Sequence, residues 1–335
     1  MTDVAVSSRD LTVPDQATGM RLDRLLTRWF QRHSRSSLAK SIRAGLVRDS
    51  QGTPLRASSR VRGGMVIQVW IPGLAPTSPP PDFPRILHED ERVVMVDKPP
   101  GMMVHPSGDR FVYALIGLAK DRWPGQPIEL VHRLDQGTSG IITLTKDPEA
   151  NRFLKEAFRT RRTIKEYLAL TRGHPAWDRL EMHGPIGADG GPIRIKMAVR
   201  DNGLPSHTIT TVLGRSSQRP PIALVHCQIS TGRTHQIRVH LDHAGHSLVG
   251  DRLYGVSTEL FLQIYEHGLK LRHLEQSGAP RHALHSARLQ VPHPDGGVLD
   301  VHSELPADMA RWWADPTCLP DLKDHPLASA DTAHS

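Results

Sequence analysis

Hydrophobic and polar residues follow each other along the chain in patterns that predict short strands separated by a few amphipathic helices. Between Leu22 and Phe30 the apolar residues recur at spacings of three and four, which predicts a helix with one apolar face. A second short helix is predicted around Leu38, ending at Gly45, and short strands follow as far as Ile71. These elements predict a small, compact module in the first part of the chain.

Proline content marks a boundary after this module. The segment Pro72–Pro84 is rich in proline and has no apolar period, which is typical of a semi-rigid linker. The first residues are polar and mixed, and the last are rich in proline and aspartate, so we expect both ends to be loose. We therefore predict a flexible tail, a small module, a linker, a large domain and a C-terminal tail, over residues 1–18, 19–73, 74–84, 85–310 and 311–335.

The large domain contains many strand-like segments and few helical ones. Asp147 followed by Pro148 is typical of a helix start, and the apolar spacing predicts a helix over residues 147–161. Strands are predicted at residues 164–173, Thr208–Leu213 and Ile222–Ile229, with a helix from Thr234. Many strands with few helices between them predict an α+β fold rather than regular strand–helix–strand repeats.

Composition and charge narrow the class of protein. The 335 residues are 38% hydrophobic and 23% charged, which is ordinary for a globular protein, and the net charge of +7 favours a nucleic-acid partner. Two cysteines, Cys227 and Cys318, lack the spacing of a zinc site or a disulfide scaffold and indicate a reducing compartment. The sequence shows no signal peptide and no apolar stretch of about 18 residues, so we expect a cytoplasmic protein without a membrane partner.

Four segments place clusters of polar residues next to a predicted strand end or tight turn, where side chains are held rigidly but stay accessible. They read DKPPGMMVHP, HRLDQGTSG, KEYLAL and TGRTHQIRVHLDHAGHSLVGDRLYG, over residues 97–106, 132–140, 165–170 and 231–255. Taken singly, Asp135 is typical of a turn, Tyr167 of strand packing and Arg238 of a solvated helix face. Their joint occurrence favours a functional site.

In order and spacing, the four segments resemble the RluA family of pseudouridine synthases, whose marks are HRLDxxTSG and GRTHQIRVHL followed by GDxxYG. The resemblance implies a mixed, largely antiparallel sheet with a central active-site cleft crossed by Asp135. It implies that Asp135 is the catalytic carboxylate and that Arg238 pairs with it. It also implies that Tyr167 packs against the target base and that Arg133 helps to displace that base.

The N-terminal module resembles, more loosely, a small RNA-binding domain first known from a ribosomal protein and found ahead of the catalytic domain in many members. Basic residues cluster around its second helix, and we expect Arg35, Lys40 and Arg43 to contact RNA. A solvated helix face would have a similar composition. The segment VRDSQGTPL, residues 47–55, stands where this domain usually has a V-x-V-N-G hairpin.

The reaction that the resemblance implies detaches uracil from ribose at nitrogen 1, rotates the ring and rejoins it through carbon 5. It involves no net redox change and no lost group, so we expect no cofactor. An ionised carboxylate can attack or deprotonate the nucleoside, and a paired Arg238 would keep Asp135 ionised against the effect of burial. The histidines between His226 and His246 have poor metal-ligand spacing, so we also expect no metal.

RNA is the expected partner, with uridine in large-subunit ribosomal RNA as the expected substrate of a monomeric enzyme. Transfer RNA is the alternative substrate. An alternative of another class is a non-catalytic RNA-binding factor in ribosome assembly. Such a factor would have no chemical need to keep Asp135, Tyr167 and Arg238 together.

Overall fold

The computed structural model describes residues 9–30, 35–69, 82–105, 114–217, 219–267 and 271–315. The chain divides into two compact units, one formed by Met1–Phe83 with His105–Arg122 and the other by Pro84–Val104 with Trp123–Ser335. No helix in the described ranges is long and apolar enough to cross a membrane.

The first unit consists of short helices and a small antiparallel sheet. Its elements are β1 (Arg9–Thr12), a 3-10 turn (Asp15–Ala17), α1 (Leu22–Trp29), α2 (Arg35–Arg43), β2 (Val47–Asp49), β3 (Val66–Val69) and α3 (Leu115–Arg122). The strands pair in the order β1-β3-β2. Leu25 and Leu26 of α1, Leu38 and Ile42 of α2, and Ile67 of β3 are buried in one core. The two predicted amphipathic helices are confirmed.

Strand β1 lies in a segment that we expected to be part of a flexible tail, and this part of the expectation is wrong. Arg9–Thr12 pairs with β3 along its whole length, from Arg9 opposite Val69 to Thr12 opposite Val66. A strand of this length is too short to show a clear period of two. Its order comes from hydrogen bonds to a strand far along the chain.

The turn after β2 is closed by a side chain. Asp49 Oδ1 accepts hydrogen bonds from the backbone N–H groups of Gln51 at 3.0 Å and Thr53 at 2.8 Å. Gly52 has a φ of 79°, a conformation that glycine adopts without steric penalty. The turn predicted at Gln51–Gly52 is confirmed, within the segment that departs from the usual hairpin sequence.

The second unit contains the remaining elements. Its strands are β4 (Arg85–Glu89), β5 (Val93–Lys98), β6 (Glu129–Leu130), β7 (Ser139–Thr145), β8 (Ile164–Arg172), β9 (Arg179–Met182), β10 (Ile186–Ala188), β11 (Met197–Val199), β12 (Thr208–Arg215), β13 (Ile222–Ile229), β14 (Leu284–Pro292) and β15 (Val298–His302). Its helices are α4 (Pro148–Arg159), α5 (Gln236–His243), α6 (Thr258–His267), α7 (Leu271–Ser277) and α8 (Ala307–Ala314).

A single large sheet organises this unit. Within the described ranges it has ten strands, with the main order β4-β5-β7-β14-β8-β13-β12-β9 and with β6 and β15 paired beside β7 and β14. The β7–β14 pair is parallel, and the other pairs of this sheet are antiparallel. Strands β10 and β11 form a separate antiparallel pair. The predicted α+β fold with a largely antiparallel sheet is confirmed.

Two helix starts show how local chemistry sets element bounds. The Asp147 side chain accepts a hydrogen bond from the backbone N–H of Ala150 and caps α4, as predicted. Helix α5 begins at Gln236, two residues later than the predicted start at Thr234. The preceding residue, His235, has a φ of 59°, which lies outside the right-handed helical region.

Strands β7, β14 and β8 lie side by side at the centre of the sheet, and the backbones of β7 and β14 come unusually close at one position. Ser286 of β14 lies opposite Gly140 of β7 on one side and Tyr167 of β8 on the other. A Cβ at Gly140, where φ is 105°, would lie 2.2 Å from the backbone oxygen of Ser286. Glycine at this position therefore permits the parallel β7–β14 contact.

The two remaining predicted boundaries have different outcomes. The predicted C-terminal tail starts too early, because α8 continues to Ala314 and Trp312 is buried against Leu170 and Ile222 in one apolar cluster. An aromatic face that packs on the sheet keeps this segment ordered. The predicted linker, residues 74–84, lies largely outside the described residues.

Candidate active site

Asp135 lies in the loop of the β6–β7 hairpin, over the central strands of the sheet. The loop begins with the Val131 N–H donating to Thr143 O at 3.1 Å and ends with the Thr138 N–H donating to Asp135 O at 3.1 Å. The Asp135 side chain is 22% exposed, so its carboxylate is held by the protein and is still reachable from outside. This central position agrees with the cleft that the resemblance implies.

Arg238 of α5 joins Asp135 to a second carboxylate. Its Nη1 donates to Asp135 Oδ2 at 2.8 Å, while its Nε and Nη2 donate to Asp251 Oδ2 and Oδ1 at 2.7 and 2.9 Å. Asp251 is fully buried, and its Oδ1 also accepts the backbone N–H of Leu253 at 2.9 Å. The forked contact with Asp251 fixes the guanidinium plane, so that one N–H is directed at Asp135.

The charges around Asp135 favour its ionised form. Burial by itself would raise the pKa of Asp135, but the charge of Arg238, reinforced by His235 and His282 when they are protonated, holds that pKa below its ordinary value. Burial, and then the charge of Arg238, lower the pKa of His235 to about 4 and that of His282 to about 3. At neutral pH both histidines are uncharged, so Arg238 is the cation that keeps Asp135 ionised.

His235 brings a ring nitrogen close to the same carboxylate. Its Nε2 lies 3.8 Å from Asp135 Oδ2, and its Nδ1 lies 2.9 Å from the Tyr254 hydroxyl. The Tyr254 oxygen already accepts the backbone N–H of Met197 at 3.0 Å, which leaves its hydrogen to donate to His235 Nδ1. In this tautomer His235 carries its proton on Nε2, on the side of Asp135.

Tyr167 lies on the central strand β8 and is 8% exposed. Burial, opposed by a hydrogen bond with the Ser286 side chain and assisted by the Asp135 charge, raises the pKa of Tyr167 to about 12. The phenol is therefore neutral at physiological pH and lies within electrostatic range of Asp135. A neutral aromatic ring at this place fits the base-packing role that the resemblance gives it.

The turn at residues 98–101 is tied to the loop that carries Asp135. Lys98 is fully buried, and its Nζ donates to the carbonyl oxygens of Pro99, Met102 and Gln136 at 2.9, 3.0 and 3.3 Å. Gly101 N–H donates to Gln136 O at 2.8 Å, and the Gln136 side-chain amide returns a bond to Gly101 O at 3.0 Å. These contacts fix Gln136, the residue that follows Asp135.

The other end of the loop is held by the segment before β14. Arg281 Nη1 donates to Gly137 O at 3.1 Å, while its Nε and Nη2 form an ion pair with Asp308 of α8. His282 Nε2 is 2.8 Å from Thr138 Oγ1, and a Cβ at Gly137 would lie 2.7 Å from the His282 ring. The ordered α8 therefore supports the loop that carries Asp135.

His132 and Arg133, side by side in the sequence, have different roles. His132 is stacked on Phe158 with ring centres 4.7 Å apart, and its Nε2 accepts the Thr143 N–H at 3.1 Å. Burial, and then the charge of Lys165, lower the pKa of His132 to about 3, so it is a neutral packing residue. Arg133 is exposed, as a residue that enters RNA must be.

The predicted RNA contacts lie in the first unit. Lys40 and Arg43 are exposed on α2, opposite the buried Leu38 and Ile42. Arg43 Nε donates to the carbonyl oxygen of Ala39 at 3.3 Å, which leaves its other N–H groups accessible. Arg35 begins α2, but its side chain lies outside the described part of the structure. A role in RNA binding stays a prediction for all three.

Several residues of the site were not singled out from the sequence. They are Asp251, His235, Tyr254, Arg281 and His282. Asp251 had a signal, because an acidic residue between apolar neighbours in LVGDRLYG is poorly explained unless a cation is buried with it. His235 lies within the motif GRTHQIRVHL, whereas His282 had no signal, since its partner Thr138 lies far along the chain.

The fold and the site together define a class of protein. A carboxylate is kept ionised by a buried arginine, beside a neutral phenol and at the centre of a mixed sheet. This arrangement suits nucleophilic or general-base catalysis on a ligand that reaches the loop from outside.

Comparison with known proteins specifies the family. Residues 92–243 match the family model described as RNA pseudouridylate synthase. The chain is 35% identical over 321 residues to the ribosomal large subunit pseudouridine synthase D of Xylella fastidiosa, with 92% of each chain covered. It is 36% identical to the protein of the same name from Nitrosomonas europaea, with 90% of this chain and 86% of the relative covered.

A solved structure agrees with the sequence matches. Human RNA pseudouridylate synthase domain containing 1 superposes with a TM-score of 0.54 at 26% identity, over 68% of this chain and 86% of that chain. The chain belongs to the RluA family of RNA pseudouridine synthases.

Proposed function

We propose that this protein isomerises uridine to pseudouridine in large-subunit ribosomal RNA. The observation that carries the chemistry is the 2.8 Å contact between Arg238 Nη1 and Asp135 Oδ2 at the centre of the sheet. The names of the relatives in Xylella and Nitrosomonas, at 35% and 36% identity over about nine-tenths of the chain, support ribosomal RNA as the substrate. A cytoplasmic location and a monomeric state stay predictions.

Asp135 is the residue that reacts with the nucleoside. The reaction breaks the bond between ribose and nitrogen 1 of uracil and forms one to carbon 5. The hydrogen on carbon 5 is released to solvent as a proton, and nitrogen 1 takes up a proton in its place. An ionised carboxylate can act as the nucleophile or as the base in this sequence. Arg238 keeps Asp135 ionised, and its two hydrogen bonds to Asp251 fix the orientation of the guanidinium.

The remaining residues position the base. A uridine in structured RNA must leave its stack to reach Asp135, at a cost of a few kcal/mol. The Tyr167 ring offers a neutral surface for the uracil, and the exposed Arg133 can occupy the place that the base leaves in the RNA. Arg238 contacts Oδ2 of Asp135, and His235 Nε2 lies 3.8 Å from the same atom, so we assign Oδ1 to the substrate.

Replacement of Asp135 by Asn tests the assignment of the catalytic residue. The amide keeps the shape but cannot attack or deprotonate, so tritium release from RNA labelled at carbon 5 of uridine should fall to background. RNA binding and thermal unfolding should change little. Asp300→Asn is the matched control, because Asp300 is also a carboxylate paired with an arginine, Arg288 on the neighbouring strand. Turnover by Asp135→Asn at the wild-type rate would disprove the assignment.

Mapping of pseudouridines in RNA from cells with and without the protein tests the substrate. We expect one or more sites in large-subunit ribosomal RNA to disappear when the gene is deleted and to return with the wild-type protein but not with Asp135→Asn. Loss of sites in transfer RNA alone would refute the substrate while supporting the activity. An unchanged map would refute the activity.

A further inference from the structure

A second cluster of polar side chains lies at the edge of the large sheet, away from the residues assigned above. Glu181 of β9 and His183 just after it are two positions apart, and alternate residues of a strand point to the same face. In the antiparallel register Met182 lies opposite Thr208, so His207, one residue before Thr208, lies opposite His183. Two histidines and a glutamate therefore share one face of the β9–β12 pair.

The atoms of this cluster converge on a small volume. Glu181 Oε1 lies 2.8 Å from His207 Nε2 and 3.2 Å from His183 Nε2, and the two rings are stacked with centres 4.5 Å apart. Their ligand atoms all lie within 4.8 Å of one another, and within the described ranges no other trio of histidine, cysteine or acidic residues meets this limit. Zinc bonds of about 2.0–2.2 Å in a tetrahedral shell set ligand atoms about 3.4 Å apart.

The surroundings of His207 match those of a metal ligand. Its Nδ1 lies 3.0 Å from Ser230 Oγ, and histidines that bind metals usually donate their second ring N–H to an oxygen. When Nδ1–H donates to Ser230, Nε2 presents a lone pair to the Glu181 carboxylate. A metal ion would then take the place that the Nε2 proton holds in the hydrogen bond of the other tautomer. Glu181 and His183 are exposed, so their side chains have room to open by the roughly half an ångström that an ion requires.

We propose that Glu181, His183 and His207 bind one zinc ion, with water completing its coordination. Two imidazoles and one carboxylate with an open position are a known ligand set for zinc and suit magnesium poorly, since magnesium prefers oxygen ligands. The proposal replaces our prediction of a protein without a metal. That prediction considered histidines close together in the sequence, whereas these ligands come from two strands.

The ion would connect an edge strand to the segment that leads to Arg238. Strand β9 ends the sheet and pairs with β12 alone along the main order. The His207 backbone N–H donates to Thr231 Oγ1 at 3.0 Å, and the His207 carbonyl accepts from Gln236 Nε2 at 2.9 Å. Gln236 is the first residue of α5. Zinc on His207 would thus hold β9 and the start of α5 in a fixed relation, as a structural brace.

Zinc titration of the full chain without an affinity tag tests the proposal. Isothermal calorimetry should show one more equivalent of bound Zn²⁺ for the wild type than for His183→Ala or His207→Ala, and excess Mg²⁺ should not displace it. Glu181→Gln should weaken binding at this site by about 10-fold or more. The matched control is His302→Ala, because His302 is an exposed histidine 3.3 Å from a single carboxylate oxygen of Asp300. The control should keep the wild-type stoichiometry.

Thermal unfolding gives a second readout that does not depend on activity. Zinc should raise the unfolding temperature of the wild type and of His302→Ala, because a ligand that binds only the folded state stabilises it. It should not raise that of His183→Ala, whose substituted side chain is exposed and whose fold should be intact. Equal zinc stoichiometry and equal temperature shifts in wild type, His183→Ala and Glu181→Gln would overturn the proposal.

Discussion

Arg238 pairs with two carboxylates, so its role at Asp135 is best tested together with a change at Asp251. Asp251 is fully buried, and removal of one partner from a buried ion pair typically destabilises a protein by about 3–5 kcal/mol. Arg238→Met alone could therefore lose activity by unfolding. The double variant Arg238→Met/Asp251→Asn removes the buried charge along with its partner. Asp135 then keeps its burial and loses its cation.

The expected change in the pKa of Asp135 follows from its 2.8 Å contact with Arg238. Charges about 4 Å apart in an effective dielectric of about 20 interact by about 4 kcal/mol, and partial exposure of Asp135 and the opposing charge of Asp251 reduce this value. A nearby opposite charge commonly accounts for about one to three pH units in the titration of a carboxylate. Without Arg238, burial raises the pKa of Asp135 and is opposed only by His235 and His282 when these are protonated. The acidic limb of the rate profile should therefore move to higher pH by about one to three units.

Single-turnover tritium release, measured across the pH range in which each variant stays folded, reports the chemical step. The matched control is Asp251→Asn, which keeps Arg238 and removes a negative charge near Asp135, so its acidic limb should not move upward. Circular dichroism melts would identify the range in which the variants are folded. If the double variant and Asp251→Asn share one acidic limb, Arg238 does not maintain the charge of Asp135 and the electrostatic reasoning is refuted.

Three further predictions concern RNA affinity and stability. Replacement of Lys40 and Arg43 by Gln should reduce the slope of log affinity against log salt by about 0.7–0.9 for each lost phosphate contact; an unchanged slope would exclude both residues from the RNA interface. Gly140→Ala places a Cβ 2.2 Å from a backbone oxygen of β14, so urea unfolding should show a greater loss of stability than Gly296→Ala, where φ is 103° and the space is open. Equal losses would contradict a close backbone contact between Gly140 and Ser286. Burial favours protonation of Asp251, but the ion pair with Arg238 lowers the pKa of Asp251 to about 2. The ionised carboxylate should therefore contribute about 2–3 kcal/mol to the free energy of unfolding above about pH 4, and this contribution should be lost as the pH falls towards 2. The stability difference between wild type and Asp251→Asn should shrink over that range, and a constant difference would argue against the ion pair.

Elements whose signals are local could be predicted from the sequence. The capped helix α4 and the strand Ile222–Ile229 are set by neighbouring residues, through an N-cap and an apolar run. The pairing of Asp135 with Arg238 was predicted from the resemblance, and in the structure the two side chains lie 2.8 Å apart. Strand β1 and helix α8 were missed, because β1 gains its order from β3 and α8 from the sheet against which Trp312 packs.

What the sequence determined by itself is therefore the class of fold and the family, since these depend on short motifs and on local periodicity, and the same motifs single out Asp135 as the carboxylate predicted to react. The tertiary structure decided which distant side chains meet. Arg281 donates to Gly137 and pairs with Asp308 of α8, a helix that extends into the predicted C-terminal tail. His207 meets Glu181 through the register of β9 and β12. Register and crossover depend on how the whole sheet minimises exposed apolar surface and unpaired backbone groups. A change of one residue in register turns every side chain of a strand to its other face, and no short stretch of sequence specifies that choice.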